Sequence, residues 1–414
     1  MHALLIGPVH SGLLYIGAAQ EMGIKLSVIT TDEGWYKLSD DLRAKVTEVI
    51  TVESYDVDLL IHEAQTLHSQ RPVGGVVAGS EYVVGQTAHI AKALGVAGFD
   101  PDKVDAVRNK ATMRRTLQEA GVRTVKYAKA SSAIDIEESA KRVGFPAVVK
   151  PLNLAGSVGV ALVRNETELL AAYEDIVTMN IAEATKGQSK EQAVEVLMEE
   201  FLVGTEYCVD GWVEQDGTIT VAEFVKVGLG PQPHFQEISY LSYRREDLAC
   251  ADELETYLKD VVRALGFTVG PFHSEVMQTN TGPVLIEIAS RLPGDHLPEL
   301  TETATGISFA SCSLATHINY PVPRPKQPQA RVAGSQFIID HDAAGEVYTA
   351  LAGWDDIVTR SEVDSAEYCV LPGTRIPPQH DFSSRIAEIL FHADSVEAAE
   401  AFQKEIVEHV RIIQ

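Results

Sequence analysis

Short apolar runs alternate with helix-length segments of mixed polarity over the first hundred residues. HALLIG, KLSVIT, KVTEVIT and GGVVAG read as strands, and the segments near 11–22, 56–69 and 81–94 as helices. Strand and helix alternating in this way predict a parallel sheet. The first turn, GPVHSG, carries Gly7 and Gly12 but has neither the Lys-Ser/Thr of a P-loop nor a GxGxxG fingerprint. It is read as a tight strand-to-helix turn, at an edge that a substrate can approach.

A helix is expected over about 103–120, carrying Asn109 and Lys110, followed by a compact α+β segment over about 122–195. Within it FPAVVKPL reads as a strand and LAGSVGVALV as a turn into a second one, while TKGQSKEQ (185–192) reads as an exposed connection. The pattern then becomes strongly β through VLMEEFL, TEYCVDGWV, a turn at Gln215-Asp216-Gly217, TITVAEFVKV and a hairpin at 273–289, with a helix near 250–265. From about 325 the proline-rich PVPRPKQPQ interrupts. The rest forms a terminal unit ending in an amphipathic helix, SVEAAEAFQKEIVEHVRII. No internal repeat is present. The chain therefore divides into 1–100, 101–195, 196–324 and 325–414, an α/β and α+β multidomain protein, in keeping with its 414 residues.

Charge narrows the function. Lys and Arg number 34 against 59 Asp and Glu, a net charge of −25, which argues against a nucleic-acid surface or a polybasic membrane anchor. Any bound anion must be held by a few local cations. The four cysteines, Cys208, Cys250, Cys312 and Cys369, show no metal-ligand spacing and imply a reducing compartment. No basic leader or long apolar span is seen, so a cytoplasmic location without membrane attachment is expected.

The hairpin HSEVMQTNTGPVLIEIASR carries the sharpest chemical signal. A turn at Asn280-Thr281-Gly282 pairs residues whose numbers sum to about 562, which sets Glu275 opposite Glu287. Like charges facing each other across a sheet are destabilising. Protonation of one, a basic neighbour, a divalent cation or plain solvation would each reconcile them. Magnesium suits the pattern best, since it binds one or two carboxylates together with substrate phosphates. Arg291, four residues beyond Glu287, either pairs with these acids or steadies a reacting phosphate.

Two further stretches carry weaker signals. Lys150 ends an apolar strand and is followed by Ala155-Gly156-Ser157-Val158-Gly159, whose small residues let backbone N–H groups approach phosphate oxygens. The stretch MEEFLVGTEYCVD offers Glu199, Glu200 and Glu206 around Gly204.

Taken in order, Lys110 in RNK, Lys150 in VVKP, AGSVGV, EEFLVGTE, HSEV and LIEIASR resemble the ATP-grasp superfamily, over roughly residues 1–310. The chain is most similar there to the carboxylate–amine ligases, especially the L-amino acid (dipeptide) ligase branch. The resemblance implies an ATP-grasp fold: an N-terminal Rossmann-like parallel-sheet domain, a small lid domain, a large mainly antiparallel catalytic domain and a C-terminal subdomain. It implies that ATP and one or two Mg²⁺ ions are used to activate an amino-acid carboxylate as an acyl phosphate, which an amine then displaces. Lys110 and Lys150 would meet nucleotide phosphates under the loop of Gly156, Ser157, Val158 and Gly159. Glu199, Glu200 and Leu202 would lie along the adenine, and Glu206 would take the ribose. Glu275 and Glu287 would hold magnesium, with Arg291 beside the reacting groups. His273 and His234 are candidate proton acceptors, and Phe235, Glu237, Tyr240, Asp295 and His296 candidate amino-acid contacts. Where the superfamily usually has an asparagine, Ala289 offers no ligand. Small amino-acid substrates are the expected partners, and homodimers are common among such ligases. A purine-biosynthetic or carboxylase-type reaction, and a non-catalytic nucleotide-binding regulator, are the competing readings.

Overall fold

The computed structural model describes residues 1–152, 158–184, 195–232, 235–340, 345–377 and 384–414. At the N-terminus four parallel strands lie in the order Glu48–Thr51, Lys25–Thr30, His2–Ile6, Gly75–Ala78. Their residues are apolar on both faces, and both faces are covered. Tyr15, Ile16 and Phe309 pack on one side, and Leu60, Ala64 and Ile90 on the other. The first turn is as tight as its glycines predict: a Cβ on Gly12 would stand 2.0 Å from the carbonyl oxygen of Gly79.

The helix expected over 103–120 is broken. Asp105–Arg108 and Lys110–Glu119 are separate helices, because Asn109 is extended and its side chain accepts from the N–H groups of Ala111 and Thr112 as an N-cap. Lys110 thus begins a helix instead of lying inside one, and its own N–H bonds to the carbonyl of Leu152 at 3.2 Å.

A second, antiparallel sheet follows in the order Tyr127–Ala130, Val196–Glu200, Ala147–Pro151, Ala161–Val163. The helices Ala133–Val143 and Glu166–Ala184 cover one face, with Ile136, Leu169 and Ile176 in its core. The polar tract at 185–192 lies outside the described residues.

The largest sheet has eight antiparallel strands: Gly282–Ala289, Gly270–Thr279, Gly204–Val213, Ile219–Leu229, Glu237–Tyr243, Val332–Ile338, Ala387–Ala393 and Val363–Tyr368. Helix Ala251–Leu265 buries Leu254, Leu258, Val261 and Leu265 against it, the i, i+4, i+7 stripe of an amphipathic helix. Strands beyond the proline-rich stretch extend this same sheet. The final helix, Val396–His409, ends earlier than its sequence pattern suggests, since Arg411–Ile413 pairs as a strand with Ala350–Ala352. No helix among the described residues is long and apolar enough to cross a membrane.

Candidate functional site

A cleft opens between the four-stranded antiparallel sheet and the hairpin end of the large sheet. Val125, Val148, Phe201, Leu202, Met277 and Ile286 give it apolar walls, while Lys110, Lys150, Glu199, Glu206, Glu275 and Glu287 supply its charge.

The hairpin register pairs Glu275 with Glu287 and His273 with Ala289. A bulge then skips Ile286 and pairs Val276 with Leu285, so Ile286 and Glu287 both line the cleft. One cation is already built in: Lys110 Nζ stands 3.0 Å from Glu287 Oε1. Glu275 is different. Burial, then the charges of Glu206, Glu287 and Glu237, push its carboxyl up to about 8. Burial and Glu237 likewise push Glu206 up to about 8. Several crowded acids in a half-closed cleft are relieved by positive charge from a ligand, and an all-oxygen, acidic donor set fits Mg²⁺. The methyl of Ala289 supplies no donor.

Lys150 and Glu199 form a buried pair at 2.6 Å, and Arg114 Nε donates to the other oxygen of Glu199, also at 2.6 Å. Arg114 is fully buried and also donates to the carbonyls of Leu285 and Ile286 at 2.8 and 2.7 Å. Burial alone would raise the Glu199 carboxyl, but Arg114 and Lys150 overcome it and hold it at about 2. Glu199, expected beside the adenine, therefore has its carboxylate engaged by two cations of the cleft wall. Glu200 accepts from the N–H of Lys126 at 2.7 Å, and Leu202 lines the cleft next to Phe201.

Arg291 lies at the far edge of the acids. Its Nε donates to Glu81 Oε2 at 2.8 Å, and the other oxygen of Glu81 accepts from Arg108. Burial opposes ionisation of Glu81, but Arg291 and Arg108 prevail and lower its pKa. His273 Nδ1 is 3.0 Å from Asp210 Oδ1, and Asp210, wholly buried, also accepts from the Ser274 N–H at 2.8 Å. Burial disfavours the imidazolium of His273, yet Asp210 outweighs it and raises the pKa.

The expected amino-acid contacts divide. Phe235, in the left-handed region at φ 50°, stacks near Phe201 with 5.9 Å between ring centroids, and it and Glu237 line the cleft. Tyr240 and Asp295 belong to a neighbouring group, in which Asp295 Oδ2 accepts from the Tyr240 hydroxyl at 3.1 Å and from Arg385 at 2.9 Å. Arg385 also approaches Glu237 to 3.7 Å, joining the two groups. His296 stands apart, facing Glu299 and Glu388. Val158 lines the cleft and Gly159 is left-handed at φ 73°. Gly156, Ser157 and His234 lie outside the described residues.

Sequence reasoning missed Arg114, Glu81, Arg108, Asp210 and Arg385. Arg114 alone had a local signal, since it follows Lys110 by one helical turn and shares its face.

The ATP-grasp domain family matches residues 143–299, and the ATP-grasp N-terminal domain family matches residues 16–98. The uncharacterized protein y4rH of Sinorhizobium fredii is 27% identical over 97% of this chain and 80% of that protein. Dapdiamide A synthase of Enterobacter agglomerans is 32% identical, over 63% of this chain and 62% of its own length. Among solved structures, an L-amino acid ligase from Bacillus licheniformis superposes with a TM-score of 0.82 at 22% identity, covering 100% of this chain and 98% of that one. With the ATP-grasp N-terminal domain and the ATP-grasp domain matched in chain order, the chain belongs to the ATP-grasp superfamily.

Proposed function

We propose that this protein joins the carboxylate of one amino acid to the amine of a second, with ATP as the energy source. The carrying observation is the single cleft in which two buried lysines, Lys110 and Lys150, face the cross-strand pair Glu275 and Glu287. Lysines and acids placed so suit a polyphosphate and its divalent counter-ion, and the apolar walls at Phe201, Leu202 and Met277 suit a purine. The likeness to dapdiamide A synthase and to the L-amino acid ligase supports amino acids as the substrate class.

In this reading Lys110 and Lys150 neutralise nucleotide phosphates, and Glu206 meets the ribose. Glu275 and Glu287 would hold Mg²⁺, which when bound offsets the charge of the phosphates. A substrate carboxylate oxygen attacks the γ-phosphorus, the bond to the β-phosphate oxygen breaks, and ADP leaves. The amine then attacks the acyl carbon and phosphate departs. Arg291, braced by Glu81, stabilises charge on the transferred group, and His273, oriented by Asp210, accepts the amine proton.

Purified protein incubated with ATP, Mg²⁺ and pairs of amino acids should release phosphate and form a product whose mass is that of the pair less one water. Phosphate release that answers only to bicarbonate, formate or a nucleotide precursor, or nucleotide binding without turnover on any pair, would overturn the reading.

A further inference from the structure

Away from the cleft a second set of acids has been brought together. Glu367 and Glu388 are direct partners in the antiparallel register of the strands Val363–Tyr368 and Ala387–Ala393. Facing carboxylates repel. His296, just ahead of helix Leu297–Thr305, points its Nε2 at both, 3.7 Å from Glu388 Oε2 and 4.0 Å from Glu367 Oε1. One ligand atom from each residue lies within 4.8 Å of the other two. Two ligands each about 2.1 Å from a tetrahedral ion stand roughly 3.4 Å apart, so only small side-chain shifts separate this arrangement from coordination.

Two independent observations point to a ligand there. Glu388 is 5% exposed, and its Oε1 is buried without a hydrogen-bond partner among the described residues. A protonated His296 would answer the charge on Oε2 but would leave that second oxygen bare. In addition, His296 Nδ1 lies 3.2 Å from Glu299 Oε1. A carboxylate on Nδ1 suits that nitrogen as the N–H donor and leaves Nε2 as the ring atom that would exchange its proton for an ion, the arrangement found behind metal-bound histidines. The backbone of His296 is left-handed at φ 58°.

We propose that His296, Glu367 and Glu388 form a binding site for a divalent transition cation of the zinc type. One imidazole and two carboxylates suit such an ion better than magnesium, which favours oxygen ligands alone. The ion ties the start of helix Leu297–Thr305 to two strands of the C-terminal part of the sheet. It sits behind Asp295, the immediate neighbour of His296, whose carboxylate is held by Arg385 and Tyr240. The site is independent of the ligase reading, because none of its residues lines the cleft.

Titration calorimetry tests this with the full chain, stripped by chelator and free of nucleotide, in a Glu287→Gln background that removes the cleft pair. Zinc chloride should bind one ion per chain, and Glu367→Gln should weaken it at least tenfold. Glu367 is exposed, so Glu367→Gln should melt like its parent without metal. Cobalt(II) should give visible absorption that Glu367→Gln and His296→Asn both abolish. No saturable zinc binding, or equal affinity with and without the Glu367 carboxylate, would overturn the site.

Discussion

Arg114 Nε and Glu199 Oε1 meet at 2.6 Å, both side chains buried, and so tie the helix Lys110–Glu119 to the strand Val196–Glu200 of the four-stranded sheet. Lys150 takes the other oxygen of Glu199. A single carboxylate thus compensates two buried cations, and removing it leaves both uncompensated. Loss of one member of a buried pair costs about 3–5 kcal/mol. Glu199→Gln, nearly the same shape, should therefore destabilise the fold by that order in a denaturant titration at pH 7. A change under about 1 kcal/mol would show that the cations are satisfied without it.

The same carboxylate sets an acid limit. Held at about 2 in the folded chain against an ordinary 4.5, Glu199 contributes stability above pH 4.5 that is lost as pH falls towards 2. The difference between the parent and Glu199→Gln should accordingly shrink over that window. Melting temperatures of both proteins between pH 2.5 and 7 read it directly, and parallel curves would refute it.

Glu206 acts in the opposite sense. Burial and the neighbouring Glu237 carboxylate push its folded carboxyl up to about 8 from the ordinary 4.5, so the fold favours the protonated form. That stability is complete below pH 4.5 and lost as pH rises through 8. Without nucleotide or magnesium, the parent should lose stability across this range, while Glu206→Gln, neutral throughout, should lose less and end up the more stable above pH 8. Identical pH slopes would mean that Glu206 is ionised in the empty cleft.

Much of this site was legible in the chain, for definite reasons. Glu275 and Glu287 could be paired because a hairpin turn fixes register and strands alternate at a period of two. Lys150 stood out because a lysine in an apolar strand needs a partner. What escaped was the identity of those partners. Periodicity tells which face of an element a residue occupies, but not which distant element packs on it. Glu81 meets Arg291 across 210 positions and Arg114 meets Glu199 across 85. The Asn109 break and the strand Arg411–Ile413 were missed for a related cause, since each depends on a local backbone choice that neighbouring contacts decide. From the sequence the facing glutamates called for magnesium; the structure sets Lys110 against Glu287, a partner that periodicity could not supply, and leaves Glu275 crowded by acids.

Glu287 should be indispensable to turnover and dispensable to folding. It is partly open to solvent and lies at the cleft surface, so Glu287→Gln should shift the melting temperature far less than Glu199→Gln does. If it holds the magnesium of the reaction, amino-acid-dependent phosphate release should fall at least about a hundredfold, a loss of about 2.7 kcal/mol in barrier stabilisation. Activity within a few-fold of the parent would remove Glu287 from the metal role.

His273 offers a test that distinguishes orientation from packing. Asp210 raises its pKa against the pull of burial, and does so through a direct bond at 3.0 Å. Asp210→Asn keeps an acceptor for the Ser274 N–H while removing the charge, so the strand pairing should survive and the imidazole pKa should fall. Resonances of the His273 ring, followed from pH 5 to 9, report that shift without reference to activity. If His273 also accepts the amine proton, the acidic limb of the pH profile for kcat/KM should move down with it. A ring pKa unchanged by Asp210→Asn would show that the carboxylate merely packs against the imidazole, and an altered ring pKa with an unmoved activity profile would take the proton-accepting role from His273.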